Sequence, residues 1–374
     1  LYVHWPFCVS KCPYCDFNSF LRTYSVREDI YVDCLLNDLD RDIELVPGRF
    51  VSSIYIGGGT PSLFSAELIA RLLIGISEKL PVREGIEVTL EINPESTSFP
   101  KLDAYRRSGV NRISIGVQSF SDDVLTALSR PHNGNEARDA ILLVQEVGFE
   151  NINIDLMFGV PSGDYGSDMM DLNEAISFQP GHLSRYQLTV EEGTKFYISP
   201  PAVPHEDDIY QSYSDGLKLL RDSGFHRYEV SAYSMSGKAS SHNLDYWRYG
   251  DYIGIGAGAH GKITIGSDIY RTKKPVSPGL YMKKFKKKRG GLDKKLVSKE
   301  DALIEYAINI TRLIDGFKLL DLYDKTGIKP GSHEVEDKIV TAEKAGFLER
   351  EGDLIKPTEK GQHFLNDLQL IFLN

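Results

Sequence analysis

A chain of 374 residues is long enough for one large domain and a smaller one, and its 41% hydrophobic and 26% charged residues exclude collagenous, low-complexity and wholly disordered classes. No apolar run approaches the roughly 18 residues that span a bilayer. The net charge of −10 argues against nonspecific nucleic-acid binding, and four cysteines, three of them within the first fifteen positions, do not make the disulfide framework of a secreted scaffold.

No secretory signal is visible, and a chain opening at Leu1 in a strand-like run is expected to have lost a short natural start. Short β-branched runs then alternate with stretches of helical spacing. The strand candidates are 2–5, 53–56, 87–92, 112–117, 151–157 and 183–190. Between them, a run such as Ala66, Ile69, Leu72, Leu73 and Ile76 puts its apolar residues on one side of a helix, with Ser65 placed to cap it. Six such units predict an α/β fold, a partial (β/α)6 barrel over 1–235. In such a barrel the loops leaving the strand C-termini share one rim. The unusual residues all fall there: the cysteines, Gly57-Gly58-Gly59-Thr60-Pro61, Asn93-Pro94-Glu95, Gln118-Ser119 and Gly159-Val160-Pro161.

Cys8, Cys12 and Cys15 follow the first strand with C-x3-C-x2-C spacing. Three thiolates on so short a loop suit one compact soft-metal site in a reducing compartment, and no fourth cysteine is near. Two readings stay open: an iron-sulfur cluster with one iron left for a ligand, or a structural zinc closed by His4. Cys34 reads as a small buried apolar residue. The three glycines let backbone approach a ligand, yet the segment is neither a P-loop nor a dinucleotide turn.

Residues 236–295 form a connecting segment that is rich in Gly, Tyr and Trp between 243 and 261 and then basic. Twelve Lys or Arg against the single acid Asp293 fall between 271 and 299. The run 283–289 reads as a solvated helix face or as a contact for an anionic membrane surface. From 296 to 374, helical spacing over 298–313, 319–325 and 334–345, then 347–350 and 354–355 around Glu351-Gly352-Asp353 and a closing helix from 358, predicts a winged-helix-like domain. Its acidic and mixed charges argue against DNA binding.

The cysteine spacing, with Tyr14 before the third cysteine, resembles the signature of radical S-adenosylmethionine (SAM) enzymes. Tyr2-Val3-His4-Trp5-Pro6-Phe7-Cys8 and Cys15-Asp16-Phe17 resemble its coproporphyrinogen oxidase-like family, and the likeness covers nearly the whole chain. That resemblance implies a radical SAM barrel in which Cys8, Cys12 and Cys15 hold a [4Fe-4S] cluster whose open iron chelates S-adenosylmethionine. It further implies that Tyr2, Gly58, Gly59, Thr60, Glu91, Gln118, Arg130 and Asp155 cradle that cofactor; apart from it, each polar residue could be a buried group satisfied inside the barrel.

Two branches of the family differ in function. The oxidase branch, which decarboxylates coproporphyrinogen III oxidatively, carries a further cysteine where this chain has Phe17. The chain therefore resembles more closely the HemW branch of cytoplasmic haem chaperones, which implies haem as cargo and haem-acceptor proteins, membrane-bound ones among them, as partners. His242-Asn243-Leu244-Asp245-Tyr246-Trp247 resembles the haem-binding motif of that branch, with His242 as the haem contact or, equally, as part of a packing motif. His132 and His260 are either structural or lie at the porphyrin site. Oxidative decarboxylation remains the enzyme alternative.

Overall fold

The computed structural model describes residues 1–22, 27–287 and 293–373. Lys288 and Arg289 of the basic run lie outside the described residues. In chain order come β1 (Tyr2–Trp5), β2 (Phe7–Cys8), β3 (Phe20–Leu21), β4 (Val51–Gly58), β5 (Val82–Ile92), β6 (Arg112–Gln118), β7 (Asn151–Phe158) and β8 (His182–Gln187). Three short strands follow: β9 (His226–Glu229), β10 (Ala232–Ser234) and β11 (Gly254–Ile255).

The main sheet runs β11-β1-β4-β5-β6-β7-β8-β10-β9, so the six expected strands lie together and parallel at its centre. The order has two ends, which makes it the open, partial barrel of the sequence reading. Two edges were not foreseen. β10 and β9 add antiparallel strands beside β8, and β11, from the connecting segment, pairs in parallel with β1. β8 also stops at Gln187, earlier than expected: Leu188 still donates to Phe158 O at 3.0 Å, and the chain then turns through Gly193 at φ +83.

Crossover helices such as Ala66–Ser77, capped by Ser65 through Leu68 N, cover the sheet. Ile54, Ile56, Leu90, Ile113, Ile115 and Ile154 join Ile69, Leu72 and Ile76 in one core cluster. Each such side chain contributes roughly 1.5–3 kcal/mol on burial. The alternate strand residues, among them Ser53, Ser114, Asn153, Asp155, Ser184 and Tyr186, hydrogen-bond to one another or line cavities, which gives the barrel a polar interior.

The connecting segment carries the helix Ser241–Trp247, then the antiparallel strands β12 (His260–Ile265), β13 (Asp268–Lys273) and β14 (Lys294–Leu296), with the helix Pro278–Phe285 before β14. A second core cluster lies under the last part of the chain; it includes Leu303, Tyr306, Leu322, Val335, Ile339 and Ile355 and draws in Tyr249 and Ile269 of the connecting segment. There the helices Lys299–Ile310, Leu319–Thr326 and His333–Lys344 are laced with β15 (Phe317–Lys318), β16 (Leu348–Glu351) and β17 (Leu354–Pro357) in the sheet order β15-β17-β16. The wing turns at Gly352, φ +66, as Glu351-Gly352-Asp353 suggested. Among the described residues no helix is long and apolar enough to cross a membrane.

Candidate functional site: two adjoining cavities on the barrel rim

The cysteine loop leaves β1 and is tied down along its length. β2 and β3 pair across it, and Arg22 N donates to Cys8 O at 2.8 Å. Within it, Cys15 N donates to Cys12 O at 3.2 Å. Asn18 Nδ2 donates to Ala257 O at 2.8 Å and Val276 O at 3.0 Å, which fixes the loop to the connecting segment. The three thiols open onto a cavity of about 580 Å³, within the roughly 300–1,000 Å³ of small-molecule sites. Burial pushes the Cys8 and Cys15 thiols up.

Gly58, Gly59, Thr60, Glu91, Gln118, Arg130 and Asp155 line this same cavity. The sequence reading therefore named residues that the fold brings together from five strands or the loops after them. Glu91 accepts from Tyr55 OH at 2.7 Å and from Gly58 N at 3.0 Å, and burial raises it to about 7 against those bonds. Asp155 is raised by burial, opposed by donors on Asn153, Ser184 and Ser114. Gln118 ends β6 at φ 69, an uncommon conformation for a side-chain-bearing residue, and its Oε1 accepts from Tyr186 OH at 2.6 Å. Arg130 Nη2 donates to Asn93 Oδ1 at 3.0 Å and Gly116 O at 2.8 Å, while Nη1 reaches Cys12 Sγ at 3.7 Å.

Tyr2 lies elsewhere. Its hydroxyl meets His4 Nδ1 at 2.9 Å, and it lines a second cavity of about 400 Å³ with Tyr55, His242, Tyr246, Tyr252 and His260. The two cavities share Phe17, Tyr55, Gly58, Glu91 and Asn243. His242 stacks on Tyr55 with ring centroids 5.0 Å apart, and burial, followed by the Leu1 ammonium and Arg112, pushes it down to about 3, so it is neutral at physiological pH. The motif divides: His242 and Tyr246 face the second cavity, whereas Trp247 lines the first and packs under Arg312, 4.3 Å from its ring centroid. His132 is structural, bonded to Val117 O at 3.0 Å and facing Glu95 at 3.4 Å, while the exposed His260 lines the second cavity. Cys34 is buried, its thiol 3.6 Å from Met282 O, as its helical setting suggested.

The zinc alternative does not fit. His4 has Nδ1 on Tyr2 and Nε2 on Asn18 O at 2.9 Å, so neither ring nitrogen is available as a fourth ligand. Among the described residues no three His, Cys, Asp or Glu side chains converge on a single-ion site. Three sulfur donors around a cavity instead suit a larger group. A Cβ on Gly59 would lie 2.9 Å from Cys8 Sγ and 2.7 Å from Phe7 O, so the glycine lets the backbone run against the thiol. Among the described residues the buried Nε of Arg130 also has no hydrogen-bond partner, as expected of a guanidinium beside a ligand site.

The Radical SAM superfamily matches residues 2–172. The haem chaperone HemW of Escherichia coli strain K12 is 41% identical over 374 residues, covering 100% of this chain and 97% of the relative. HemW of Buchnera aphidicola subsp. Schizaphis graminum is 39% identical over 378 residues, covering 100% and 98%. The chain belongs to the HemW family. Among solved structures, the coproporphyrinogen III oxidase HemN of Escherichia coli, described as a radical SAM enzyme, superposes with a TM-score of 0.83 at 21% identity, over 99% of this chain and 89% of that one. That likeness carries the fold, barrel and tail together.

For this HemW-family chain the sequence reading missed Tyr55, Ser184 and Tyr186 of the first cavity and Tyr55 and Tyr252 of the second. A signal existed. Polar or aromatic residues at every second strand position, such as Ser53-Tyr55, Asn153-Asp155 and Ser184-Tyr186, mark an inward face.

Proposed function

We propose that the chain is a haem carrier. Cys8, Cys12 and Cys15 hold a [4Fe-4S] cluster, the cavity beside them takes S-adenosylmethionine, and the aromatic cavity takes haem for transfer to acceptor proteins. The observation that supports it most is the meeting of two unlike cavities on one rim, sulfur-lined and imidazole-lined, in a chain that matches named haem chaperones along its whole length. When bound, the cluster supplies an open iron for the amino and carboxylate groups of S-adenosylmethionine and an electron for carbon-sulfur cleavage.

The chain's own residues do the rest. Arg130 offers a fork of donors to a carboxylate, and Glu91 and Asp155 accept from hydroxyls. Tyr2, Tyr55 and Tyr246 offer flat apolar surface to a porphyrin, and the neutral His242 offers a lone pair to its iron. Phe17, at the position of the oxidase branch's extra cysteine, borders both cavities and is 58% exposed. The exposed Lys283, Lys286 and Lys287 form the face we assign to anionic lipid. Vesicles with and without anionic lipid test that face, and equal binding to both would remove it.

The deciding experiment pairs two assays on anaerobically reconstituted protein. Haemin titration should give uptake with a shifted Soret band that is lost in His242→Ala, and coproporphyrinogen should pass through unchanged. Sustained protoporphyrinogen production would overturn the carrier reading in favour of the oxidase.

A further inference from the structure

His242 is the second residue of the helix Ser241–Trp247, and it is held at two places. Its Nδ1 lies 3.1 Å from Ser53 Oγ, on a β4 residue only 2% exposed. The start of its helix is held by Glu87 of β5: His242 N and Ser240 Oγ both donate to Oε1 at 3.1 Å, and Ser241 N donates to Oε2 at 3.1 Å. A carboxylate there satisfies N–H groups that have no partner inside the helix and faces the positive end of its dipole. Buried Arg112 stands 3.9 Å from Oε2 and keeps a positive charge at hand.

Ser53 and Glu87 are register partners across the parallel β4 and β5 ladder. Both holding points therefore belong to one rigid rung of the barrel. Stacking on Tyr55, at 26° between planes, and on Tyr2, at 29°, limits how the ring turns. Among the described residues the imidazole has no hydrogen bond at Nε2, and His242 lines the aromatic cavity. An imidazole ligates iron through one nitrogen while the other keeps its proton and donates it, and that second bond orients the ring.

We infer that Ser53 and Glu87 are positioning residues that present Nε2 of His242 to an iron porphyrin in the aromatic cavity. Ser53 keeps the ring proton on Nδ1 by accepting it, and Glu87 fixes the turn of helix that carries the ring. This rests on the haem-carrier reading above, with His242 as the contact.

The test is haemin titration of the full reconstituted chain, followed by absorption and by electron paramagnetic resonance of the ferric complex. Ser53→Ala is expected to weaken haem binding by about 10–100-fold, to shift the Soret band and the low-spin g-values, and to leave the melting temperature close to wild type. Ser53→Thr restores all three. Glu87→Gln, which keeps the side chain's shape but not its charge, is expected to weaken binding by about 3–10-fold and broaden the resonance signal. Wild-type affinity and spectra in Ser53→Ala, or no rescue by threonine, would overturn the inference while His242→Ala still loses haem. Unchanged haem binding in His242→Ala would instead remove the histidine reading itself and this inference with it.

Discussion

Single atoms decide how the cysteine cavity closes. Because a Cβ at Gly59 would press on both Cys8 Sγ and Phe7 O, Gly59→Ala must shift backbone or thiol. Such overpacking costs about 1–3 kcal/mol, so the variant should fold yet, after anaerobic reconstitution, carry less than about half the wild-type iron and sulfide per chain. Arg130 makes a different point. Its fork reaches Asn93, Gly116 and the Cys12 sulfur at once, which one ammonium cannot do. Arg130→Lys should keep its iron while binding S-adenosylmethionine about tenfold or more weakly by calorimetry. Equal affinity would take the guanidinium out of the binding site.

At the level of packed elements, a buried charge cluster fixes the connecting segment to the barrel. Lys274 Nζ lies 2.7 Å from Asp38 and 2.8 Å from Asp42 on the helix Glu28–Asp42. Tyr281 OH donates to Asp38 at 2.8 Å, and Gly256 N, one residue past β11, donates to the same carboxylate at 3.3 Å. Burial raises both carboxyls, Asp42 from 3.8 to about 6, with Lys274 opposing. The folded state therefore binds a proton at Asp42 more readily than the unfolded chain. Stability from this group rises as pH falls from about 6 towards 3.8 and is flat above 6. Lys274→Met leaves two buried carboxylates without their cation and should cost about 3–5 kcal/mol at pH 7.5. The deficit should shrink at pH 5, where Asp42 takes up a proton. Urea melts at the two pH values measure it, and a pH-independent deficit would contradict this account.

Over the whole molecule, the winged-helix-like domain closes one side of the cysteine cavity. Arg312 follows that domain's first helix, yet it pairs with Glu229 of β9 at 3.0 Å and lies over the Trp247 ring. All three line the cavity. Ile314 N also donates to Tyr228 O at 3.2 Å, so the link to the barrel edge includes backbone. Arg312→Ala leaves the nearly buried Glu229 without this partner and should cost about 1–3 kcal/mol, read as a lower urea midpoint. Faster proteolysis between barrel and tail should accompany it. An unchanged midpoint would mean that the backbone bond and the apolar contacts hold the domain without this ion pair.

Local pattern was enough for much of this. Short β-branched runs alternating with helical spacing laid out the six parallel strands, and the Glu351-Gly352-Asp353 turn laid out the wing, because burial preference and turn chemistry act over a few neighbouring residues. The spacing of Cys8, Cys12 and Cys15 likewise keeps the three cysteines on one short loop, and all three line one cavity. Folding settled the rest: that β11 completes the sheet beside β1, that Tyr2 faces the aromatic cavity, that His4 has no nitrogen left for a metal, and that His242 meets Ser53 from 189 positions away. Such neighbours depend on strand order and register, and no short stretch of chain encodes which distant strand will lie beside it.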